Sequence, residues 1–189
     1  MKIGIPAETK PGETRVAATP ETVRKLLAAK HQVFLSADSE EEKAETLSWL
    51  MFVASGIGPY CGQAVHFKRY APEPIEYAIN RYDFEACRHW NIIDAHLANR
   101  AYMVGNKYSI VDMAVWGWAR VIPFIFDAEA YTKLPNVKRL LDEINARPAA
   151  QRAEAIKTQH AFKFEVDEAA RKNLFPQNER LNRKYAQVV

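Results

Sequence analysis

The sequence has few cysteines and no long uninterrupted run of apolar residues, and each shortage restricts the class of protein. Cys61 and Cys87 are the two cysteines in 189 residues, and they lie far apart without forming a CxxC motif. They fit a reducing cytoplasm better than a disulfide framework. The longest apolar stretch, within residues 110–126, is interrupted by Asp112 and Arg120, which is unfavourable for a membrane span.

Strong charge, targeting signals and metal motifs are missing as well. A formal net charge of +3 is too small to indicate nucleic-acid binding, and no Lys/Arg cluster alternates with exposed aromatic residues. Residues Met1–Ile5 lack the basic and apolar regions of a secretory signal. The five histidines and the acidic residues show no metal-ligand spacing. We therefore expect a soluble cytoplasmic protein without nucleic-acid, membrane or metal partners.

Two patterns follow one another along the chain. Residues 1–35 read as strand, loop, helix and strand, and Thr19 and Pro20 are typical of the helix start. From Ser39 onward every periodic segment is helical, so the sequence predicts a mainly all-α protein with a short β-α-β-like N-terminal segment. The first predicted helix starts at Ser39 and kinks or breaks at Gly56–Pro59, and a short segment 60–70 follows. A long helix is predicted from Ile75 to about Arg100. The remaining predicted helices are 110–126, 136–147 and a last one to about Ile156. The tail from His160 is predicted to wrap the surface or to be partly disordered.

The clearest local motif lies at residues 105–116. Ser109 and Asp112 have the spacing of a capping box, in which each side chain accepts a hydrogen bond from the other residue's backbone N–H. Tyr108 and Met113 occupy the positions of a hydrophobic staple. The helix that follows is apolar on nearly every side, which predicts a place in the core. Asp112 is also a candidate catalytic acid, but the capping box explains it fully.

Several motifs in sequence order carry a family resemblance. Residues 34–160 resemble the C-terminal helical domain of glutathione transferases, most closely the bacterial nu class, whose members act as glutathione-dependent disulfide-bond reductases. Residues 161–189 are similar to the C-terminal extension of that class. The segments that carry the resemblance are Leu47–Leu50, Gly58–Phe67, Tyr70–Glu73, Tyr77–Tyr82, the capping box and Leu134–Arg139.

The first residues resemble a different family. Met1–Pro6 and Glu13–Pro20 are similar to the N-terminal edge of alanine dehydrogenases and of the transhydrogenase alpha subunit. Arg15 matches the substrate-binding arginine of alanine dehydrogenases, although its partner lysine and histidine are absent. The sequence has no GxGxxG motif, so we expect no NAD(P) binding. The chain resembles a fusion joined between Ala29 and Phe34, with residues 1–33 as the foreign segment, and a natural rearrangement and a gene-model artefact both stay open.

The transferase resemblance implies a function and a set of binding residues. It implies glutathione as cofactor and co-substrate, a small-molecule thiol or disulfide as partner, and a homodimer. Arg81 lies where the nu class places an arginine that contacts glutathione, and the alternative is a salt bridge. The residues that the resemblance places along the substrate side of the cleft are Tyr60, Cys61, Gln63, His66 and Phe67. Cys61 is the candidate reactive thiol, although a small half-buried side chain explains it better, and His66 is better explained as a packing or surface residue.

The same resemblance limits the expected activity. In glutathione transferases a thioredoxin-like N-terminal domain holds glutathione and the catalytic residue, and residues 1–33 resemble no such domain. We therefore assign no catalytic residue and expect impaired thiol transfer or disulfide reduction. The alternative is a non-catalytic helical module for dimerisation or partner binding. An apolar face left uncovered by the missing half predicts oligomerisation.

Overall fold

The computed structural model describes residues 39–127, 129–160 and 166–178. The predicted β-α-β-like segment and the predicted junction lie outside the described residues. The chain divides between Ser48 and Trp49 into two units. Helix α1 (Glu40–Phe52) begins in the first unit, where Ser39 Oγ accepts a hydrogen bond of 3.1 Å from Glu42 N. The acidic first turn of α1 suits the positive end of the helix dipole.

The chain from Val53 to Tyr70 stays helical where the sequence predicts a kink or a break. Residues Val53–Ile57 form a π-helical turn, helix α2 runs over Gly58–Val65, and His66–Tyr70 form a second π-helical turn. Pro59 lies in the first turn of α2, directly after the first π-helical turn, and it has no N–H to donate to the carbonyls of that turn. Each π-helical turn inserts an extra residue and so changes the face that the following side chains present.

Helix α3 (Glu76–Leu97) is the longest helix of the described chain and carries much of the core. Ala86, Trp90, Ile93 and Leu97 recur at helical spacing and are completely buried or nearly so. Helix α2 packs along α3. The side chains of α3 that face away from the core are exposed and include Tyr77 and Phe84.

The predicted capping box is present at the start of helix α4 (Ile110–Ala119). Ser109 Oγ accepts from Val111 N at 3.2 Å, and Asp112 Oδ2 accepts from Ser109 N at 2.7 Å. The prediction of a single helix over 110–126 is wrong, because α4 ends at Ala119 and a short helix α5 (Ile122–Ile125) follows. Pro123 is the physical reason, since its ring would clash with the carbonyl of Ala119 in a continuous helix.

The environment of α4 matches its apolar sequence only in part. Val111, Val115 and Ala119 are buried, whereas Met113 is 40% exposed. The Tyr108 ring lies under the Arg147 guanidinium, 3.7 Å from ring centroid to Cζ. The N-terminal entry of α4 is thus fixed by the capping box and by a cation–π contact.

Asp112 also fixes the connection between α3 and α4. Its Oδ1 accepts a hydrogen bond of 2.8 Å from Met103 N, and the Met103 carbonyl accepts one of 2.7 Å from His96 Nε2. Arg139 donates to the carbonyls of Leu97 and Arg100 at the end of α3. Burial raises the pKa of Asp112 and outweighs the opposing effect of its N–H donors.

Helices α6 (Pro135–Asn145) and α7 (Pro148–Gln159) follow a 3₁₀ turn at Ala130–Lys133. Helix α6 packs against α3 and α4 through its buried face. The side chain of Asp94 on α3 caps α6, because its Oδ1 accepts from Asn136 N at 2.8 Å and from Val137 N at 2.9 Å. Within the tail, where the sequence predicts no regular element, Asp167 caps a short helix α8 (Glu168–Leu174).

Candidate functional site

Five aromatic side chains form a continuous cluster between residues 52–70, which we call the α2 region, and helix α3. We call it the aromatic cluster, and its members are Phe52, Tyr60, Phe67, Tyr82 and His89. The Phe67 and Tyr82 rings are stacked, with centroids 5.3 Å apart and planes inclined by 4°. Tyr60 lies 6.4 Å from Tyr82 and 4.8 Å from His89, measured between ring centroids. The cluster therefore brings the predicted residues Tyr60 and Phe67 together on one side of α3.

His89 is buried within this cluster, and Gly56 makes room for it. The imidazole lies between Tyr60 and Phe52, whose ring centroid is 5.0 Å away. A Cβ atom at Gly56 would lie 2.5 Å from His89 Cδ2 and 2.7 Å from Nε2. His89 Nδ1 is 2.7 Å from the main-chain carbonyl of Glu85. Because a carbonyl can only accept, Nδ1 carries the proton in this contact.

Helix α3 also carries a cluster of charged side chains next to the aromatic cluster. We call it the ion cluster, and it is formed by Arg81, Glu85 and Arg88. Glu85 Oε1 accepts from Arg81 NH1 at 2.9 Å, and Oε2 accepts from Arg88 Nε at 2.9 Å. The Glu85 side chain is 9% exposed, whereas those of Arg81 and Arg88 are 51% and 47% exposed. The hydrogen bond from Arg88 is the main reason that the pKa of Glu85 lies below its usual value. The ion cluster holds two positive charges and one negative charge, so it can attract an anion.

Cys61 faces away from the aromatic cluster and into the core. Its side chain is completely buried, and Trp90 lies beside its thiol. Burial raises the pKa of Cys61 to about 12. This environment fits the packing side chain that the sequence favours over a reactive thiol, because desolvation disfavours the thiolate.

The other predicted binding residues of the α2 region have different environments. Gln63 is exposed on α2. His66 is half-buried and contacts the rings of Phe67 and Phe175, at 5.3 Å and 4.9 Å between centroids. Phe175 follows helix α8, so the extension packs against the α2 region at this point. His66 thus has the packing role that we favoured from the sequence.

A recess with a volume of about 280 Å³ lies on the side of α3 away from the aromatic cluster. Trp90 and Leu134 contribute its apolar wall, and Lys68, Lys133 and Cys87 lie around it. Lys68 is held in place by Asp83 and by the Ile125 carbonyl, to which it donates at 2.9 Å. Cys87 is the exposed cysteine of the two. Partial desolvation of its sulfur, and then the negative charge of Asp83, raise its pKa.

The described part of the chain contains neither a cluster of metal-ligating side chains nor a membrane-spanning helix. No group of three or more His, Cys, Asp or Glu side chains among residues 39–127, 129–160 and 166–178 could hold a metal ion. In those same ranges no helix is both long enough and apolar enough to cross a membrane.

The structure thus brings Arg81, Tyr60 and Phe67 to one side of α3, and the sequence interpretation missed three residues that connect them. These are Tyr82, Glu85 and His89. Glu85 and His89 lie four and eight residues after Arg81, which is the spacing of neighbours on one helical face. That spacing was available in the sequence, whereas the position of the Tyr60 ring next to His89 depends on the π-helical turn.

Two family profiles match the chain. The profile "Glutathione S-transferase, C-terminal domain" matches residues 85–148, and "Alanine dehydrogenase/PNT, N-terminal domain" matches residues 4–46. The first match covers most of α3 and extends to the start of α7. Both resemblances inferred from the sequence are therefore confirmed.

Curated relatives agree with the first profile. The chain is 38% identical to the disulfide-bond oxidoreductase YfcG of Escherichia coli K12 over 128 residues, which are 67% of this chain and 58% of that protein. It is 36% identical to the disulfide-bond oxidoreductase YghU of the same organism over 136 residues, which are 69% of this chain and 46% of that protein. The chain spans about half the length of the curated relatives it matches.

Solved structures show the same fold. The glutathione transferase URE2P6 from Phanerochaete chrysosporium, in complex with oxidized glutathione, superposes with a TM-score of 0.64 at 25% identity, over 76% of this chain and 67% of that one. A glutathione transferase family member from Pseudomonas fluorescens Pf-5 with two glutathione molecules bound has a TM-score of 0.57 at 35% identity, over 62% of this chain and 54% of that one. The helical part of the chain therefore has the fold of the glutathione transferases, and residues 85–148 match their C-terminal domain.

Proposed function

We propose that this chain binds glutathione or its disulfide and supports glutathione-dependent thiol transfer or disulfide reduction. The observation that carries the proposal is the exposed Arg81, held by a buried carboxylate next to the aromatic cluster. A guanidinium pairs well with a peptide carboxylate, and aromatic rings suit the less polar part of a ligand. The names of YfcG and YghU, and the glutathione ligands of the structural neighbours, support the same ligand class.

In this proposal the described residues bind and orient the ligand. Arg81 pairs with a carboxylate of the peptide, and Tyr60 and Phe67 lie along the side where a disulfide or electrophile would be placed. The attacking group is the thiolate of glutathione, and donors that stabilise it accelerate the reaction. Residues 4–46 match an unrelated domain, so such donors have to come from elsewhere, and we propose that activity is weak in this chain.

Calorimetric titration of the full chain with glutathione and with glutathione disulfide tests the proposal. We expect binding in the wild type, and we expect Arg81→Gln to weaken it by about tenfold or more because a charge-assisted pair is lost. Arg152→Gln is the matched control, because Arg152 is an exposed arginine on α7, away from the site. A disulfide-reduction assay on the same samples measures turnover. Absence of binding at millimolar ligand would reject the proposal.

A second role, as a non-catalytic dimerisation module, is favoured by the outer face of α3. Tyr77 and Phe84 lie seven residues apart, and they are 81% and 62% exposed. Residues at this spacing share a helix face, so they present neighbouring apolar surface. We propose, as the alternative to ligand binding at Arg81, that a second copy of the chain covers this face, which agrees with the homo-oligomer expected from the sequence. Arg81 lies four residues after Tyr77 and three before Phe84 on the same face of α3, so the two roles compete for it.

A further inference from the structure

We propose that Glu85 is a positioning residue, which orients Arg81 so that its guanidinium receives a carboxylate of the ligand. This inference deepens the proposed function and rests on it. Glu85 touches no ligand in this arrangement. It acts through Arg81, and the contacts around its carboxylate support that role.

The first support is the difference in exposure between the partners. The Glu85 side chain is 9% exposed, and Arg81 above it is 51% exposed. A single hydrogen bond of 2.9 Å joins Arg81 NH1 to Glu85 Oε1. A guanidinium has five N–H donors, so this contact fixes one edge of the group while donors on the other edge remain for a ligand. A flexible surface arginine would have to be ordered at the moment of binding.

The second support is that Glu85 is itself fixed from its other side. Arg88 donates to Glu85 Oε2 through Nε at 2.9 Å and approaches the same oxygen through NH2 at 2.8 Å. His89 Nδ1 lies 3.8 Å from that oxygen and 2.7 Å from the Glu85 carbonyl. His89 cannot move easily, because Phe52, Tyr60 and the Gly56 backbone surround it. Because Glu85 is held by Arg88 and lies against the confined His89, its carboxylate has a fixed position from which it orients Arg81.

The third support is the sign of the charge. Glu85 alone beside Arg81 would cancel the positive charge that a carboxylate ligand needs. Arg88 supplies a second guanidinium on the same carboxylate, so the ion cluster keeps an excess of one positive charge. The arrangement is thus able to orient Arg81 and still attract an anion.

The ratio of the affinities for glutathione and for its monoethyl ester separates loss of orientation from general damage to the fold. Glutathione carries a glycyl carboxylate, and glutathione monoethyl ester lacks that negative charge. Glutathione keeps its γ-glutamyl carboxylate in this ester, so the comparison tests the glycyl group. If Glu85 orients Arg81 toward the glycyl carboxylate, the wild-type chain should prefer glutathione over the ester. Glu85→Gln keeps the shape of the side chain and raises the excess charge of the ion cluster from one to two, which alone would increase the preference. A reduced preference therefore reports the lost orientation of Arg81. A merely structural role would weaken both ligands equally.

The experiment is calorimetric titration of the full chain with glutathione and with its monoethyl ester, for the wild type, E85Q, R81Q and E76Q. Glu76 is an exposed acid in the first turn of the same helix, so E76Q is the matched control. We expect E85Q and R81Q to lose most of the preference, with at least a fivefold drop in the affinity ratio of the two ligands, and E76Q to keep it. An unchanged or increased ratio in E85Q overturns the inference.

A measurement without ligand separates this inference from the proposed function. Nitrogen-detected NMR of the arginine side chains reports rotation of the Arg81 guanidinium, whose signal R81K identifies. We expect slow rotation in the wild type and E76Q, and averaged signals in E85Q. The same averaged signals in all three chains overturn the positioning role whether or not glutathione binds. Failure of the wild type to bind glutathione rejects the proposed function, and with it the assignment of the carboxylate ligand.

Discussion

At the scale of single residues, the two thiols have different environments, and the sequence does not show which of them is buried. Cys61 is buried in the core, and burial raises its pKa to about 12, whereas Cys87 is exposed. A side chain one position earlier or later on a helix faces a different direction. The π-helical turn before α2 decides that direction for Cys61, and no local sequence signal marks such a turn.

We predict that iodoacetamide modifies Cys87 and spares Cys61 in the folded chain. With a pKa of about 12, Cys61 has a thiolate fraction of only about 10⁻⁴ near pH 8, and its sulfur is shielded from the reagent. Mass spectrometry of the labelled peptides measures both sites. C87S should take up almost no label until urea is added, and C61A should label like the wild type. Rapid modification of Cys61 in C87S would contradict the assignment.

Glu85 gives a second prediction, which concerns pH. Its folded-state pKa lies below 4.5, mainly because Arg88 donates to its carboxylate. A carboxyl with a lowered folded-state pKa contributes stability above its unfolded-state pKa, and this contribution is lost as pH falls through the folded-state value. The difference in unfolding free energy between wild type and E85Q should therefore be present at neutral pH and disappear in acid. Urea denaturation of both chains from neutral to acidic pH measures it, and a difference that stays constant over this range would contradict the prediction.

At the scale of elements, local signatures were predictable and tertiary ones were not. The capping box at Ser109 and Asp112 depends on residues three apart, so the sequence alone places the start of α4. The end of α4 was also visible in principle, because Pro123 marks it, although the apolar run over 110–126 obscured the break. The cap of α6 comes from Asp94, more than forty residues earlier, and no pattern within α6 indicates it.

We predict that the π-helical turn depends on Gly56. Gly56→Ala places a Cβ atom 2.5 Å from His89 Cδ2, and the resulting displacement should cost about 1–3 kcal/mol of unfolding free energy. Gly62→Ala is the matched control, since a Cβ atom there meets nothing within 4 Å. That change should stabilise α2 by about 0.5–1 kcal/mol. Urea unfolding of both variants measures the difference, and equal effects would show that His89 is not confined.

We predict that Asp94→Ala weakens the junction of α3 and α6. The change leaves the N–H groups of Asn136 and Val137 without their acceptor, and we expect a loss of about 1–2 kcal/mol of unfolding free energy. Asp142→Ala is the control, because Asp142 forms an exposed pair with Lys138 and such pairs contribute about 0.5 kcal/mol or less. Equal losses in chemical denaturation would remove the capping role of Asp94.

At the scale of the whole molecule, fold and function differ in how far the sequence determines them. The helical order, the core of α3 and α6 and the family follow from several motifs acting together. The candidate site depends on Tyr60 of α2 and on Arg81 and His89 of α3, and the two helices meet only after packing. The domain limits predicted at residues 33 and 160 stay predictions, as does the limited activity.

We predict that the outer face of α3 mediates self-association. Phe84→Glu and Tyr77→Glu each place a charge on this face and should shift the chain toward the monomer, because burying an unpaired carboxylate is costly. Ile156→Glu is the control, since Ile156 is 50% exposed on α7. Sedimentation velocity over a range of protein concentrations gives the distribution of species. A wild-type chain that sediments as a monomer throughout would refute the proposed dimer.

The connection between α3 and α4 has a consequence for how this chain can vary. The Met103 carbonyl accepts a hydrogen bond from His96, and the Met103 N–H donates one to Asp112. These two bonds fix the length of the chain between residues 96 and 103 and between residues 103 and 112. An inserted or deleted residue in either span would break one of the two hydrogen bonds. Loops usually absorb such length changes, but this one is expected to vary by substitution alone, and an acid retained at position 112 would reflect architecture and not chemistry.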